Sequence, residues 1–120
     1  MNNLHEDVIG QSEDALQQKC VVWFWNNYPH LRGLLFSVPN GGERSSRQGK
    51  LLNQTGLIPG VSDLILLYNG KVFCIELKKD NRAVQSQNQK EWQAQVESQG
   101  IPYFIIRSLS NFKILMNTII

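Results

Sequence analysis

Long apolar runs are missing from this chain of 120 residues. None reaches the roughly 18–20 residues a membrane-spanning helix needs. The polar opening MNNLHED lacks the apolar stretch of a signal peptide. Together these features make a cytoplasmic protein of a bacterium or phage-infected cell, with no membrane partner, the expectation. Cysteine is scarce too. Cys20 and Cys74 are the two present, and neither stands in a CxxC or Cys/His spacing. That argues against a zinc site or a disulfide framework and predicts two reduced, buried thiols. Internal repeats and low-complexity segments are also absent.

What is present suits one globular domain, long enough for a real core. The net charge of +2 conceals an uneven distribution. Residues 1–14 hold four acids and no base, so residues 15–120 carry twelve basic and six acidic side chains. Such a body suits a polyanionic partner, although solvated surface lysines would give the same count.

The most informative stretch is Ser62 to Lys78, SDLILLYNGKVFCIELK. Asn69-Gly70 between two apolar runs marks a two-residue hairpin, because both central residues of a type I′ turn need positive φ. That turn sets Leu67 opposite Val72, Leu66 opposite Phe73, Leu64 opposite Ile75 and Asp63 opposite Glu76. Cross-strand partners share a face, and Lys78 joins it two residues on. Two carboxylates and a lysine on apolar strands are costly, and a divalent metal is the simplest explanation. A buried salt bridge is the plain alternative.

Around the hairpin, residues 1–11 show no periodicity and read as a loose tail, leaving 12–120 as the domain. Ser12 caps a helix to about Asn27, with Leu16, Cys20, Trp23, Phe24 and Tyr28 facing inward and Glu13 at the edge of that stripe. Pro29 stops it. A strand over 34–38 follows, then the turn Pro39-Asn40-Gly41-Gly42. A helix over 44–54 comes next, ended by Gly56. Beyond Lys78, a polar loop leads to a capping box, Ser86-x-x-Gln89. It opens a helix to about Gln99, with Trp92 and Val96 inward. A strand over 103–107 and a final helix over about 111–117 complete the chain. Strand, helix and strand in that order make a βαβ crossover with parallel strands.

The chemistry that calls for such a carboxylate and lysine set is metal-assisted phosphodiester hydrolysis. Mg²⁺ takes one or two protein carboxylates, keeps several waters and binds phosphate oxygens. The residues resemble a known family at this point. Pro59-Gly60-Val61-Ser62-Asp63 followed by Ile75-Glu76-Leu77-Lys78 is similar to the PD-(D/E)xK nuclease pattern. Glu13 with Gln17, the Pro39-Asn40-Gly41-Gly42-x-Arg44 segment and Ser86-x-x-Gln89-x-x-Trp92 narrow the resemblance to the virus-type replication-repair nuclease (VRR-NUC) domain, over residues 12–108. Ser62 stands where many members have proline.

The resemblance implies an α/β fold with a restriction-endonuclease-like core, a mixed sheet flanked by helices in the order αβ(α)ββαβα. It implies Mg²⁺, with Mn²⁺ able to substitute, held by Asp63, Glu76 and the main-chain carbonyl of Leu77, and by Glu13 directly or through water. Lys78 would position the attacking water, and Gln89 would orient the lysine or the scissile phosphate. The glycine-arginine segment and nearby bases offer candidate DNA contacts: Asn40, Gly41, Gly42, Arg44, Arg47, Lys50, Lys79 and Arg82. Small stand-alone members resemble junction resolvases, which implies a homodimer that cuts branched DNA such as a four-way junction. Two other functions fit the same residues: a silent module that binds branched DNA, and a restriction-type duplex nuclease.

Overall fold

The computed structural model describes residues 12–39 and 54–120. The elements are α1 (Glu13–Asn27), a short 3-10 turn (Pro29–Leu31), β1 (Leu35–Ser37), β2 (Leu64–Tyr68), β3 (Lys71–Leu77), α2 (Gln87–Ser98), β4 (Tyr103–Ile106) and α3 (Leu109–Ile119). One mixed sheet runs in the order β1-β2-β3-β4. Its first two pairings are antiparallel and the last is parallel. This is an α/β fold, as the resemblance implied. Among the described residues, no helix is long and apolar enough to cross a membrane.

The hairpin forms in the expected register. Leu64 pairs with Ile75, Leu66 with Phe73 and Leu67 with Val72. Asn69 and Gly70 take φ values of 53° and 76°, the left-handed pair that a type I′ turn requires. One expectation needs correction: Asp63 is not a ladder partner of Glu76, because β2 begins at Leu64.

Strand parity then sorts the sheet into two faces. Leu64, Leu66, Ile75, Leu77 and Ile106 point to one side. They form the core with Leu16, Cys20 and Phe24 of α1 and Phe112 and Met116 of α3. Trp23 and Tyr28, expected in the same stripe, are only partly buried against this core. The Tyr28 hydroxyl donates to Asn117 Oδ1 at 3.0 Å, tying the end of α1 to α3. Trp25 also packs on the core edge, with the Arg32 guanidinium 4.0 Å above its ring. Both cysteines are buried thiols outside any disulfide.

The other face carries Cys74, Glu76, Tyr103 and Ile105, with Cys74 opposite Tyr103 and Glu76 opposite Ile105. Helix α2 covers this side near β4. Its N-terminus is the expected capping box: Ser86 Oγ accepts from the Gln89 N–H, and the Gln89 side chain accepts from the Ser86 N–H. No residue of α2 is fully buried, and Trp92 and Val96, expected to face inward, are only half-buried. Trp92 meets Tyr103 edge-on at 5.9 Å. The last helix is longer than expected: it begins at Leu109 after Ser108, whose side chain accepts from the Asn111 N–H, and runs to Ile119. The predicted helix over 44–54 lies outside the described residues except for Gln54, after which Gly56 has a φ of 102°.

Candidate active site

The site forms where β2 and β3 part company. Just before β2, the Asp63 carbonyl accepts from the Val38 N–H at 2.9 Å, continuing the pairing with β1. On its other side the main-chain ladder to β3 has ended, and the Asp63 carboxylate takes its place. Oδ2 accepts from the Leu77 N–H at 2.6 Å. The bend that breaks the ladder therefore brings an acid to the end of β3. Burial pushes the Asp63 carboxyl above its ordinary range. The Leu77 N–H and Lys78 oppose the rise, and the charges of Glu13 and Glu76 add to it. Glu13, in the first turn of α1, is thus close enough for its charge to be felt at Asp63.

Glu76 is 0 % exposed. Its Oε1 accepts from Gln85 Nε2 at 2.9 Å and from the Tyr103 hydroxyl. Its Oε2 has no hydrogen-bond partner, although Lys78 Nζ lies 3.4 Å away in an ion pair. A buried carboxylate oxygen without a hydrogen bond is uncommon, because desolvation alone costs roughly 1–3 kcal/mol or more for a charged group. Lys78 is itself buried and donates to Gln89 Oε1 at 2.9 Å. The same Gln89 oxygen accepts from the Ser86 N–H at 2.8 Å. The capping box of α2 thus holds the side chain that holds the lysine.

Asp63, Glu76, Lys78 and Gln89 are therefore brought together, with Glu13 at the margin. Among the described residues, no three Asp, Glu, His or Cys side chains converge into a ready-made metal cage. A hard cation here would take Asp63, Glu76 Oε2 and the Leu77 carbonyl and complete its shell with water, which is the habit of Mg²⁺. The Glu76 oxygen that takes no hydrogen bond and the nearby Asp63 carboxylate both fit such a cation, beside the Lys78 ammonium at 3.4 Å from Glu76. Asn40, Gly41, Gly42, Arg44, Arg47 and Lys50 lie outside the described residues. Lys79 and Arg82 lie exposed in the loop after β3.

Three side chains of the site were not anticipated from sequence. Tyr103 and Gln85 bond Glu76, and Gln85 Nε2 also donates to Gln93 Oε1 at 2.8 Å. For Tyr103 the sequence offers the parallel pairing of β3 and β4 but not its register, and it is the register, with Cys74 opposite Tyr103, that puts the hydroxyl on the Glu76 face. Gln85 and Gln93 carry no comparable mark in a polar loop and a polar helix. Ser62, in place of a proline, is fully buried and donates to the Leu64 carbonyl at 3.2 Å.

No family model and no curated protein matches the sequence. Solved structures do match. One, a "VRR_NUC domain protein", superposes with a TM-score of 0.74 at 19% identity, covering 92% of this chain and 89% of that one. Another, a "VRR_NUC domain", gives 0.59 at 19% identity, over 90% and 97%. The chain has the VRR-NUC fold. The likeness spans nearly the full length of both partners. At this identity it speaks for the fold, and the VRR-NUC fold gives the site its scaffold, not its activity.

Proposed function

We propose that this chain is a metal-dependent DNA endonuclease, selective for branched DNA such as a four-way junction and acting as a homodimer. The observation that carries the reading is Glu76: a fully buried carboxylate with one oxygen unbonded, beside Lys78 and within charge range of Asp63, on a VRR-NUC fold. Asp63, Glu76 and the Leu77 carbonyl would hold Mg²⁺ or Mn²⁺, which when bound lowers the pKa of a coordinated water and neutralises charge on the phosphate. Lys78, pinned by Gln89, presents a cation to the attacking water and to charge that builds on the phosphate. Asp63 is fixed by the Leu77 N–H, so little reorganisation is needed when substrate arrives. The excess of basic side chains beyond residue 14 suits a DNA backbone. The preference for branched DNA rests on the resemblance to stand-alone VRR-NUC proteins.

Cleavage of labelled four-way junction, flap and linear duplex with Mg²⁺ or Mn²⁺ tests this. Wild type is expected to cut the junction best. Asp63→Ala and Lys78→Ala should each lower the rate by roughly 10²–10⁴-fold, the range for losing a positioned charged group. A wild type that binds junctions without cutting any of them would make this a binding module. Discrete fragments from linear duplex would make it a restriction-type enzyme.

A further inference from the structure

Glu76 offers its two oxygens to very different surroundings. Oε1 takes two hydrogen bonds, from the Tyr103 hydroxyl and from Gln85 Nε2 at 2.9 Å. Oε2 takes none. A carboxylate oxygen has two lone-pair sites, so Oε1 is saturated and only Oε2 remains to meet a cation. The two donors are themselves held. Tyr103 is 8% exposed and its ring rests against Trp92. Gln85 spends its second amide hydrogen on Gln93 Oε1 at 2.8 Å, and Gln93 Nε2 in turn reaches Glu97 Oε2 at 3.3 Å. Helix α2, the loop before it and β4 therefore converge on one oxygen of one carboxylate.

We infer that Tyr103 and Gln85 are positioning residues that hold Glu76 to single-oxygen coordination of the catalytic metal. The inference rests on the reading of Glu76 as a metal ligand. Its physical content is that the clamp fixes which oxygen is presented, and at what angle, before the metal arrives. Outer-shell hydrogen bonds of this kind orient ligands and typically change metal affinity by roughly 10–100-fold when lost. The competing explanation is that both residues merely solvate a buried charge and stabilise the fold.

The test is Mn²⁺ titration of the full chain by calorimetry, with Tyr103→Phe and Gln85→Met beside wild type. Thermal unfolding of each protein in EDTA and a structure of the Mn²⁺-loaded wild type complete it. Mn²⁺ affinity should fall by about 10-fold or more in each variant, and one Glu76 oxygen should contact the ion. A lower unfolding temperature in EDTA with unchanged Mn²⁺ affinity would assign both residues a structural role and overturn the inference. So would a bidentate Glu76 in the wild type. If Tyr103→Phe does not fold, Gln85→Met decides alone, since Gln85 lies in a half-buried loop position. If wild type neither binds Mn²⁺ nor cleaves DNA, the nuclease reading falls and takes this inference with it. If wild type binds and cleaves while the variants bind as tightly, only the inference falls.

Discussion

An ionised Asp63 is held partly out of water, within range of two other carboxylate charges, and this has a sign that can be measured. Its folded-state pKa is raised from the ordinary 3.8, so between that value and the raised one the folded chain binds more protons than the unfolded chain. Stability therefore falls as pH rises through that window, and the cost persists above it. Asp63→Asn should raise the unfolding temperature in EDTA at neutral pH, because an amide oxygen can still accept the Leu77 N–H. The gain should shrink as pH approaches 3.8. Added Mn²⁺ should raise the unfolding temperature of wild type by mass action and leave that of Asp63→Asn little changed. A differential scanning calorimetry series in pH and Mn²⁺ checks all three. At this scale the acids and the lysine are legible in sequence because the hairpin turn sets their parity. The break that turns Asp63 toward Leu77 is not. It depends on where β1 and β2 stop pairing with their neighbours, which is decided in space.

Among the elements, α2 does more for the site than its thin burial suggests, and Gly60 shows how its position is set. Gly60 has a φ of 88°, and a Cβ there would lie 2.3 Å from the Asn88 carbonyl oxygen and 2.8 Å from the Gln89 nitrogen. The loop leading to Asp63 thus touches the backbone of the first turn of α2, where Gln89 holds Lys78. Gly60→Ala should cost roughly 1–3 kcal/mol for the forced displacement, plus about 1–2 kcal/mol for the left-handed conformation. It should also lower the cleavage rate by shifting Gln89 away from Lys78. Denaturant unfolding and a cleavage assay of the same preparation would show whether the two losses come together. The capping box that starts α2 is written plainly in Ser86 and Gln89, so that element could be located from sequence. The sequence puts the start of α3 too late, because Ser108, Ser110 and Asn111 all offer capping side chains and local pattern does not choose among them. The contact at Gly60 joins residues far apart in the chain, and no periodicity reports it.

Across the whole molecule, the sheet separates two tasks. One face is closed by α1 and α3 over an apolar core; the other, near β4, holds the buried charges. The hairpin, the parallel crossover and the inward stripe of α1 follow from turn residues, hydrophobic periodicity and connection lengths; the place of β1 beside β2 does not. The partners of Glu76 required the assembled fold, because Tyr103 reaches it only through the register between β3 and β4. One further tie spans the two strands. Arg107, just beyond β4, donates through Nη1 to the carbonyls of Asp80 at 2.9 Å and Ala83 at 2.6 Å. The Asp80 carboxylate accepts from the N–H groups of Arg82 and Ala83, both at 2.8 Å. The exposed peptide bond after Arg82 is therefore fastened on both sides. A protease must draw several residues into an extended strand before it can cut, and this loop is not free to yield them. Trypsin should spare the Arg82–Ala83 bond in the wild-type chain despite its exposure, and cleave it readily in Arg107→Ala.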